Sequence, residues 1–535
     1  MKRTVAATLL SLCIAAQTAA QGLKSGRYEL PYKNTYVKEV FVAENEYRTA
    51  APERIEPRPF DEARRILPAP YWEGHDKEIE MYWHAWRIAV GNIRQPQEGS
   101  GFVSPYLDMA YNGNIFMWDM SFMMLYARYG YRYFPFQRSM DNFYAKQHPD
   151  GFICREIRAD GSDCFERYDP TSTGPDLLPW IELTYFRQFG DIDRLHRIFP
   201  ALCGYAKWWK LNRTWPDGTY WSSGWGTGMD NMPRVKPEYN PIFSHGHMVW
   251  LDTNLQQMLV DESLLQIGFH IERWQEIEWM EEEMKMLKRY INEHLWDERD
   301  GFLHDHYGDG SLCPTKGIGA YWALQTDALD KERLDRLVAH LSDTTEFARP
   351  HRVPSLSADH AKYNPVGRYW QGGVWPGTNY MVIDGLWRKG YRAQAREIAA
   401  NHYASVFEVW KKTGTFWEYY APERPEPGFM ARKDFVGWTG LPPIAVFIEY
   451  VLGIKSDYSE RRIEWDVTRT EAHGIERYPF GPNGVVDLKV RRRGSSSEVP
   501  AVTVSTDVPF DLTVLWGDGQ SRTVHVEKSG EVKLD

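Results

Sequence analysis

The sequence predicts a mainly helical protein, an (α/α)6 toroid, followed by a small C-terminal antiparallel β-module. Three observations support this fold class. Apolar residues recur at the spacing of amphipathic helices in about twelve stretches. Two long loops rich in Trp, Gly and acidic residues, 213–248 and 412–437, interrupt the helices. After Ser456 the pattern changes to the alternation that is typical of strands.

Residues 1–20 predict a signal peptide that is not part of the fold. Two basic residues precede an apolar run from Val5 to Ala16, and small residues follow up to a cleavage position after Ala20. The apolar run is too short to span a bilayer in a mature protein. We therefore expect export, to a periplasm or to the medium.

Residues 21–70 are rich in Pro, Arg and Glu and predict an extended N-terminal arm packed on the main body. The helical domain is expected over 71–457. Its helices are predicted near 79–90, 117–131, 133–147, 175–190, 192–212, 249–268, 270–292, 316–327, 331–343, 372–389, 391–411 and 438–453. Several begin after good capping residues, such as Asp330 and Thr439. Such a series suits two concentric rings, and a different helical array is the alternative.

The two long loops are expected to be functional, because loops of that length inside a compact domain usually are. Residues 458–535 predict the β-module, with alternating runs at 486–490, 502–504 and 512–516. The module either caps the helical domain or binds sugar, and capping is the simpler role.

The formal net charge of -10 opposes nucleic acid and anionic membrane surfaces as partners. Four cysteines follow the signal peptide without a Cys-x-x-Cys pair, which argues against a zinc knuckle or a dithiol redox site. Cys154 and Cys164 flank a predicted hairpin turn and either pair or remain buried thiols. His245 and His247 lack a third ligand at sensible spacing, so we expect no metal and no organic cofactor.

Two acidic residues lie in apolar, aromatic surroundings on the long loops. Asp230 follows a Gly- and Trp-rich run, and Glu418 lies between Trp417 and Tyr419. Cleavage of a glycosidic bond needs two carboxyl groups, and an apolar setting keeps one of them protonated. The 23 Trp and 31 Tyr also suit a carbohydrate cleft. Alternatively, Asp230 is a turn residue and Glu418 a surface acid.

Five motifs that follow one another along the chain point to a known family. They are Asn114–Asp119, Asp230-Asn231-Met232-Pro233-Arg234, Trp370–Pro376, Phe416-Trp417-Glu418 and Phe435–Leu441. Together they resemble glycoside hydrolase family 63, most closely its bacterial branch of mannosylglycerate and glucosylglycerate hydrolases, and more remotely trehalases. The likeness covers roughly residues 75–455.

The resemblance implies an inverting α-glycosidase on an (α/α)6 toroid. Asp230 would be the general acid and Glu418 the general base, with carboxyls ~6.5–9.5 Å apart to admit a water. Met232 and the run Tyr419–Pro422 depart from the commoner pattern and put the substrate in doubt. A short α-glucoside is the first expectation, with exo action.

The predicted substrate contacts surround these two acids. They are Trp118, Asp119, Trp225, Asn231, Arg234, Trp370, Gln371, Trp375, Trp417 and Trp438. The alternatives are core packing for the aromatic residues, a helix N-cap for Asp119, and an ion pair within its own loop for Arg234.

Two other functions remain open. A polysaccharide lyase on the same toroid would need a Tyr or His base and cationic groups, and it would form an unsaturated product. A non-catalytic glycan-binding protein of the cell envelope would bind glycan without Asp230 and hydrolyse nothing.

Overall fold

The computed structural model describes residues 39–109 and 111–534, so the predicted signal peptide lies outside the described residues. The α-helices are α1 (Val40–Glu44), α2 (Phe60–Ile66), α3 (Asp76–Gly91), α4 (Met117–Ala127), α5 (Asp141–Ala145), α6 (Leu178–Phe189), α7 (Ile192–Asn212), α8 (Leu251–His270), α9 (Trp279–Tyr290), α10 (Lys331–Ala339), α11 (Pro376–Arg388) and α12 (Arg392–Thr413).

Every predicted helical stretch contains helix, but three are not mainly α-helical. Phe136–Met140, which leads into α5, and Ile318–Gln325 are 3-10 helices, and Leu441–Val451 is a π-type helix. Asp330 caps α10 as predicted, because its carboxylate accepts the Arg333 N–H at 2.9 Å. Thr439 is not a cap, since it lies inside a 3-10 turn and its hydroxyl donates to the Trp417 carbonyl at 2.7 Å.

The helices fall into two kinds by burial. Every residue of α4 and of Leu441–Val451 is buried, as expected of helices surrounded by protein. In contrast, α10 buries only Leu334, Leu337 and Val338 and exposes a charged face. The body is therefore helical, with fully enclosed helices covered by amphipathic ones.

The C-terminal region forms two sheets. The strands are β1 (Ala69–Trp72), β2 (Ile454–Asp457), β3 (Arg462–Asp466), β4 (His473–Phe480), β5 (Gly484–Val490), β6 (Val502–Thr506), β7 (Phe510–Trp516), β8 (Gln520–Val526) and β9 (Gly530–Val532). One sheet has the order β1-β4-β5-β6-β9 and the other β2-β3-β7-β8. The prediction of a purely antiparallel module needs correction, because β3 and β7 pair in parallel.

The N-terminal arm is less extended than predicted over its described part. It contains α1 and α2, and β1 joins the C-terminal sheet by pairing with β4. Ion pairs bind its start to the helical body, from Glu39 to Lys207 at 3.0 Å and from Glu44 to Arg273 at 2.9 Å.

All four cysteines within the described ranges are free thiols. Across 39–109 and 111–534, no helix is long and apolar enough to cross a membrane.

Candidate active site

Three carboxyl groups from separate parts of the chain lie close enough to interact electrostatically, and we call the region around them the cleft. Asp230 lies on the loop after α7, Glu418 on the loop after α12, and Asp119 in the first turn of α4. Burial raises the pKa of Asp119 well above its usual value, and the charges of Glu418 and Asp230 raise it further. Burial and the mutual repulsion of neighbouring carboxylates both favour retention of a proton in this group.

The pKa of Asp230 is raised, first of all by burial. Three neighbours oppose this effect: the Arg155 charge, the hydroxyl of Tyr369 and the indole N–H of Trp225. The Tyr369 hydroxyl donates to Oδ2 of Asp230 at 3.0 Å. Asp230 is thus disposed to hold a proton and is provided with groups that stabilise the anion left after its transfer.

Burial also raises the pKa of Glu418, to about 7, and the charge of Asp230 adds to the increase. Arg432 lowers this pKa through its charge and through its backbone N–H, which donates a long hydrogen bond of 3.4 Å to Oε2 of Glu418. The Glu418 side chain is 13% exposed. No described residue donates a hydrogen bond to its Oε1, so that oxygen is available to a water.

Asp119 is not the helix N-cap that the sequence left open. Phe116 occupies that position, and Asp119 lies in the first turn with its side chain almost fully buried. Its carboxyl nevertheless interacts electrostatically with both proposed catalytic carboxyls.

A stack of three aromatic rings packs against Tyr369. The Trp370 and Trp375 rings lie 4.2 Å apart and parallel, and the Tyr419 ring stacks on Trp375 at 4.3 Å. The Trp375 indole donates to the Tyr369 carbonyl at 3.3 Å. Because Trp370 and Trp375 are almost fully buried, we assign them to supporting Tyr369 instead of forming walls that touch sugar.

The other predicted aromatic contacts differ in accessibility. Trp118 is buried against Phe122, and a Cβ on Gly228 would lie 2.9 Å from its indole nitrogen, so it packs beneath the Asp230 loop. Trp438 is buried and donates to the Glu418 carbonyl at 2.7 Å.

Trp225 and Trp417 are half-buried. Trp417 donates to the Thr413 hydroxyl at 3.0 Å, whereas Trp225 lies between the rings of Phe165 and Phe243, at 5.6 and 5.0 Å. Of the predicted walls, Trp225 is the best placed to touch a ligand.

Asn231 and Gln371 join the Asp230 loop to the segment that carries Tyr369. The Asn231 side-chain oxygen accepts the Trp370 N–H at 2.8 Å, and Gln371 donates to the Asn231 carbonyl at 3.2 Å. These bonds fix the position of Tyr369 relative to Asp230.

Arg234 has a different environment from the one predicted. Its guanidinium is buried over the Trp250 ring and is bound by Asp252 at 2.7 Å and Asp305 at 2.8 Å. Both partners lie outside its own loop. Because these two carboxylates already hold the guanidinium, we assign Arg234 a structural role instead of the expected contact with sugar hydroxyls.

Sequence reasoning missed Tyr369, Arg155 and Arg432. Tyr369 has a left-handed backbone, with φ of 59°, which costs free energy for a bulky residue and often marks a functional position. Its adjacency to the Trp370-Gln371 motif was the available signal. No carboxylate of a described residue lies within salt-bridge distance of the Arg155 guanidinium, which packs over the Phe165 ring.

His245 and His247, considered above as metal ligands, pack beside aromatic rings. The His245 ring lies 5.2 Å from that of Trp215, and His247 stacks on Trp215 at 6.2 Å. In the part of the chain that the structure describes, no group of three potential ligands is positioned to hold a metal ion.

Comparison with known proteins identifies the family. The model of the mannosylglycerate hydrolase MGH1-like glycoside hydrolase domain matches residues 114–439, more than half of the chain. The chain belongs to this family. It is therefore a glycoside hydrolase, and the resemblance to glycoside hydrolase family 63 is confirmed. The match covers Asp119, Asp230 and Glu418.

Relatives include an uncharacterized protein of Borreliella burgdorferi, 24% identical over 64% of this chain and 73% of that protein. A probable mannosyl-oligosaccharide glucosidase of Schizosaccharomyces pombe is 24% identical over 46% of this chain but only 34% of its own length. The mannosylglycerate hydrolase of Thermus thermophilus, solved with glucose, shares the fold with a TM-score of 0.55 and 17% identity, over 68% of this chain and 99% of that structure.

Membership of a hydrolase family favours hydrolysis over the two open alternatives, a lyase and a non-catalytic glycan-binding protein.

Proposed function

We propose that this chain is an inverting exo-α-glycosidase that removes a gluco-configured residue from a short α-linked glycan or glycoside. One observation carries the proposal: Asp230 and Glu418, from two separate loops, lie close enough to interact, since the charge of Asp230 raises the pKa of Glu418 and both charges raise the pKa of Asp119. Carbohydrate is the expected partner.

We place this cleft at one end of an (α/α)6 toroid. The support is the enclosure of α4 and Leu441–Val451 by amphipathic helices. In addition, α4, α11 and Leu441–Val451 all begin next to cleft residues, which are Asp119, Trp375 and Trp438. Their N-termini therefore share one end of the body.

In the proposed reaction, Asp230 donates its proton to the glycosidic oxygen as the bond to the anomeric carbon breaks. Glu418 accepts a proton from a water that attacks the same carbon from the opposite face, which inverts its configuration. Asp230 is left ionised, and Tyr369, Trp225 and Arg155 stabilise that anion. The Oε1 of Glu418, which accepts no hydrogen bond from a described residue, supports a role in binding the water.

The aromatic side chains beside Asp230 favour a sugar ring as the leaving group. Phe165, Trp225 and Phe243 pack edge to face, and the Phe243 side chain is 48% exposed. The general acid lies on the leaving-group side of the bond, so these rings are placed to stack on the departing sugar.

A screen of α-linked gluco-, manno- and galacto-configured disaccharides, followed by NMR of the first product anomer, tests this function. We expect hydrolysis of at least the gluco-configured compounds with initial release of the β-anomer. Initial release of the α-anomer would rule out inversion, and hydrolysis confined to manno- or galacto-configured compounds would overturn the sugar assignment.

We also propose that the protein is exported, on the strength of residues 1–20. Fractionation of the producing cells and mass spectrometry of the N-terminus test this. Recovery of an uncleaved chain in the cytoplasm would contradict it.

A further inference from the structure

A cavity of about 130 Å³ lies away from the candidate active site, where several helices end. It is lined by the C-terminal parts of α6 and α11, the end of Leu441–Val451 and the start of β2. Since α11 and Leu441–Val451 begin beside the cleft, the cavity lies toward the opposite end of the helical body. Its volume far exceeds the ~10–15 Å³ that one water requires.

The lining of this cavity is cationic in a protein of net charge -10. Four cations face two anions, and the six charged residues are Arg128, Arg187, Arg388, Lys455, Asp384 and Glu449. A second cavity of about 240 Å³ adjoins it and shares Arg388, Lys455 and Ser456.

Glu449 contributes little negative charge to the space. Its carboxylate is bound by Arg128 at 2.7 Å and by the hydroxyls of Tyr129 and Tyr380 at 2.7 and 2.8 Å. The Arg128–Glu449 pair is thus neutral as a unit, and Asp384 is the other carboxylate among the described residues that line the cavity.

The remaining cations have neutral hydrogen-bond partners. Arg187 donates to the Gln266 side chain at 2.8 Å and Arg388 to the Gln325 side chain at 3.1 Å. The Lys455 ammonium donates to the Glu449 carbonyl and lies over the rings of Trp387 and Tyr450. Among described residues, no carboxylate lies within salt-bridge distance of Arg187, Arg388 or Lys455.

The placement of these cations costs free energy in the absence of a counter-ion. Burial lowers the pKa of Lys455 to about 8, against the attraction of Glu449, Asp466, Glu464 and Asp384. The pKa of Arg187 is also lowered, by burial and then by the nearby charge of Arg388, against the attraction of Asp457, Asp384 and Glu262. Helix C-termini stabilise cations, but that effect is modest.

We propose that this cavity binds a phosphate-type oxyanion between Arg187, Arg388 and Lys455, at the junction of the helical body with the C-terminal sheets. Guanidinium groups pair with such anions through two parallel hydrogen bonds, and lysine supplies a point charge. The ligand is either free inorganic phosphate or the phosphate group of a small ester, whose organic part would extend into the adjoining cavity. Binding would stabilise the junction, because a ligand of the folded state raises its stability.

Calorimetric titration of the full protein with inorganic phosphate, and separately with glycerol phosphate, tests the proposal at constant ionic strength. Arg388→Gln is the informative variant, because Arg388 is exposed at the cavity mouth and its loss should not impair folding. Lys389→Gln is the matched control, since Lys389 is adjacent, carries the same charge and pairs with Asp327 outside the cavity.

We expect phosphate to bind and to raise the melting temperature of the parent and of Lys389→Gln. Arg388→Gln and Arg187→Gln should each weaken binding about tenfold or more. Tighter binding of glycerol phosphate than of phosphate would identify an ester as the ligand, and the reverse would identify the free ion. No binding beyond that of chloride, or equal affinity in the two glutamine variants of 388 and 389, would overturn the proposal.

The candidate active site also contains a cation, and Arg155→Gln separates the two locations. Loss of phosphate binding in Arg155→Gln but not in Arg388→Gln would place the anion in the catalytic cleft and contradict the proposal.

Discussion

The hydroxyl of Tyr369 donates a hydrogen bond of 3.0 Å to Oδ2 of Asp230, and the Tyr369 backbone adopts a left-handed conformation to do so. The bond stabilises the ionised carboxylate and lowers its pKa, whereas burial raises it. Tyr369 therefore adjusts the proton affinity of the proposed general acid. Its position is held by the Trp375 indole and by Asn231, whose side chain binds the next residue.

Replacement of this phenol should change the pH dependence of hydrolysis. In Tyr369→Phe the pKa of Asp230 rises, so the alkaline limb of the kcat/KM profile moves to higher pH, by roughly one unit for a hydrogen bond to a charged group. Tyr363→Phe is the control, because the Tyr363 hydroxyl donates to Glu423 and not to a candidate catalytic carboxyl. An unchanged alkaline limb in Tyr369→Phe would show that Asp230 does not set it.

Arg432 should affect the acidic limb of the kcat/KM profile, which reports the general base. A general base must be ionised, so activity rises as pH increases through the pKa of Glu418, which is about 7. Removal of the cation in Arg432→Gln raises that pKa and moves the acidic limb upward by roughly half a unit, since Arg432 is partly exposed. Lys433→Gln removes a neighbouring exposed charge and should leave the limb in place. A downward shift in Arg432→Gln would contradict the assignment.

Arg234 should matter for stability more than for sugar affinity. In Arg234→Gln the buried carboxylates of Asp252 and Asp305 lose their cation, which costs about 3–5 kcal/mol. Lys236→Gln, on the same loop as Arg234, breaks a pair with the exposed Asp309 and should cost far less. Thermal unfolding measures both. A raised KM without loss of melting temperature in Arg234→Gln would restore the sugar-binding role.

The titration of Asp176 should lower the free energy of unfolding as pH rises. Burial raises its pKa to about 7, its Oδ1 accepts the Leu178 N–H at 3.1 Å, and its Oδ2 has no hydrogen-bond partner among the described residues. The unfolded carboxyl titrates near 3.9, so the folded state binds more protons between these values and loses stability until about pH 7.

Asp176→Asn removes this titration. Its stability gain over the parent should grow by about 3 kcal/mol between pH 5 and pH 8. Denaturant unfolding at the two pH values provides the measurement, with the exposed Asp518→Asn as control. An equal difference at both pH values would mean that the Asp176 carboxyl is already ionised in the folded protein.

Local patterns predicted much of this structure. Hydrophobic spacing located the helical stretches. The Asp330 cap was predictable because a capping carboxylate binds a backbone N–H only three residues later. The prediction of Asp230 and Glu418 as partners rested on their aromatic surroundings and on ordered motifs, and both lie in one cleft. These features depend on residues close in sequence or on motifs already paired in a family.

Contacts between residues far apart in the sequence could not be predicted from such patterns. Arg234 pairs with Asp252 and Asp305, and β3 pairs in parallel with β7, across dozens of intervening residues. Trp375 also stacks on Tyr419, more than forty residues later in the sequence, and composition does not encode such a contact. Tyr369 went unnoticed because its importance lies in one hydrogen bond and an unusual φ angle.

Hydrolysis of α-glucosyl fluoride by two variants tests the central claim most directly. Fluoride leaves without a proton, so Asp230→Asn should retain most activity on the fluoride while losing about 10²–10⁴-fold on an α-linked disaccharide. Glu418→Gln should lose activity on both substrates, because the attacking water needs its base. Equal losses of Asp230→Asn on the two substrates, or full fluoride hydrolysis by Glu418→Gln, would contradict the assignment of Asp230 as acid and Glu418 as base.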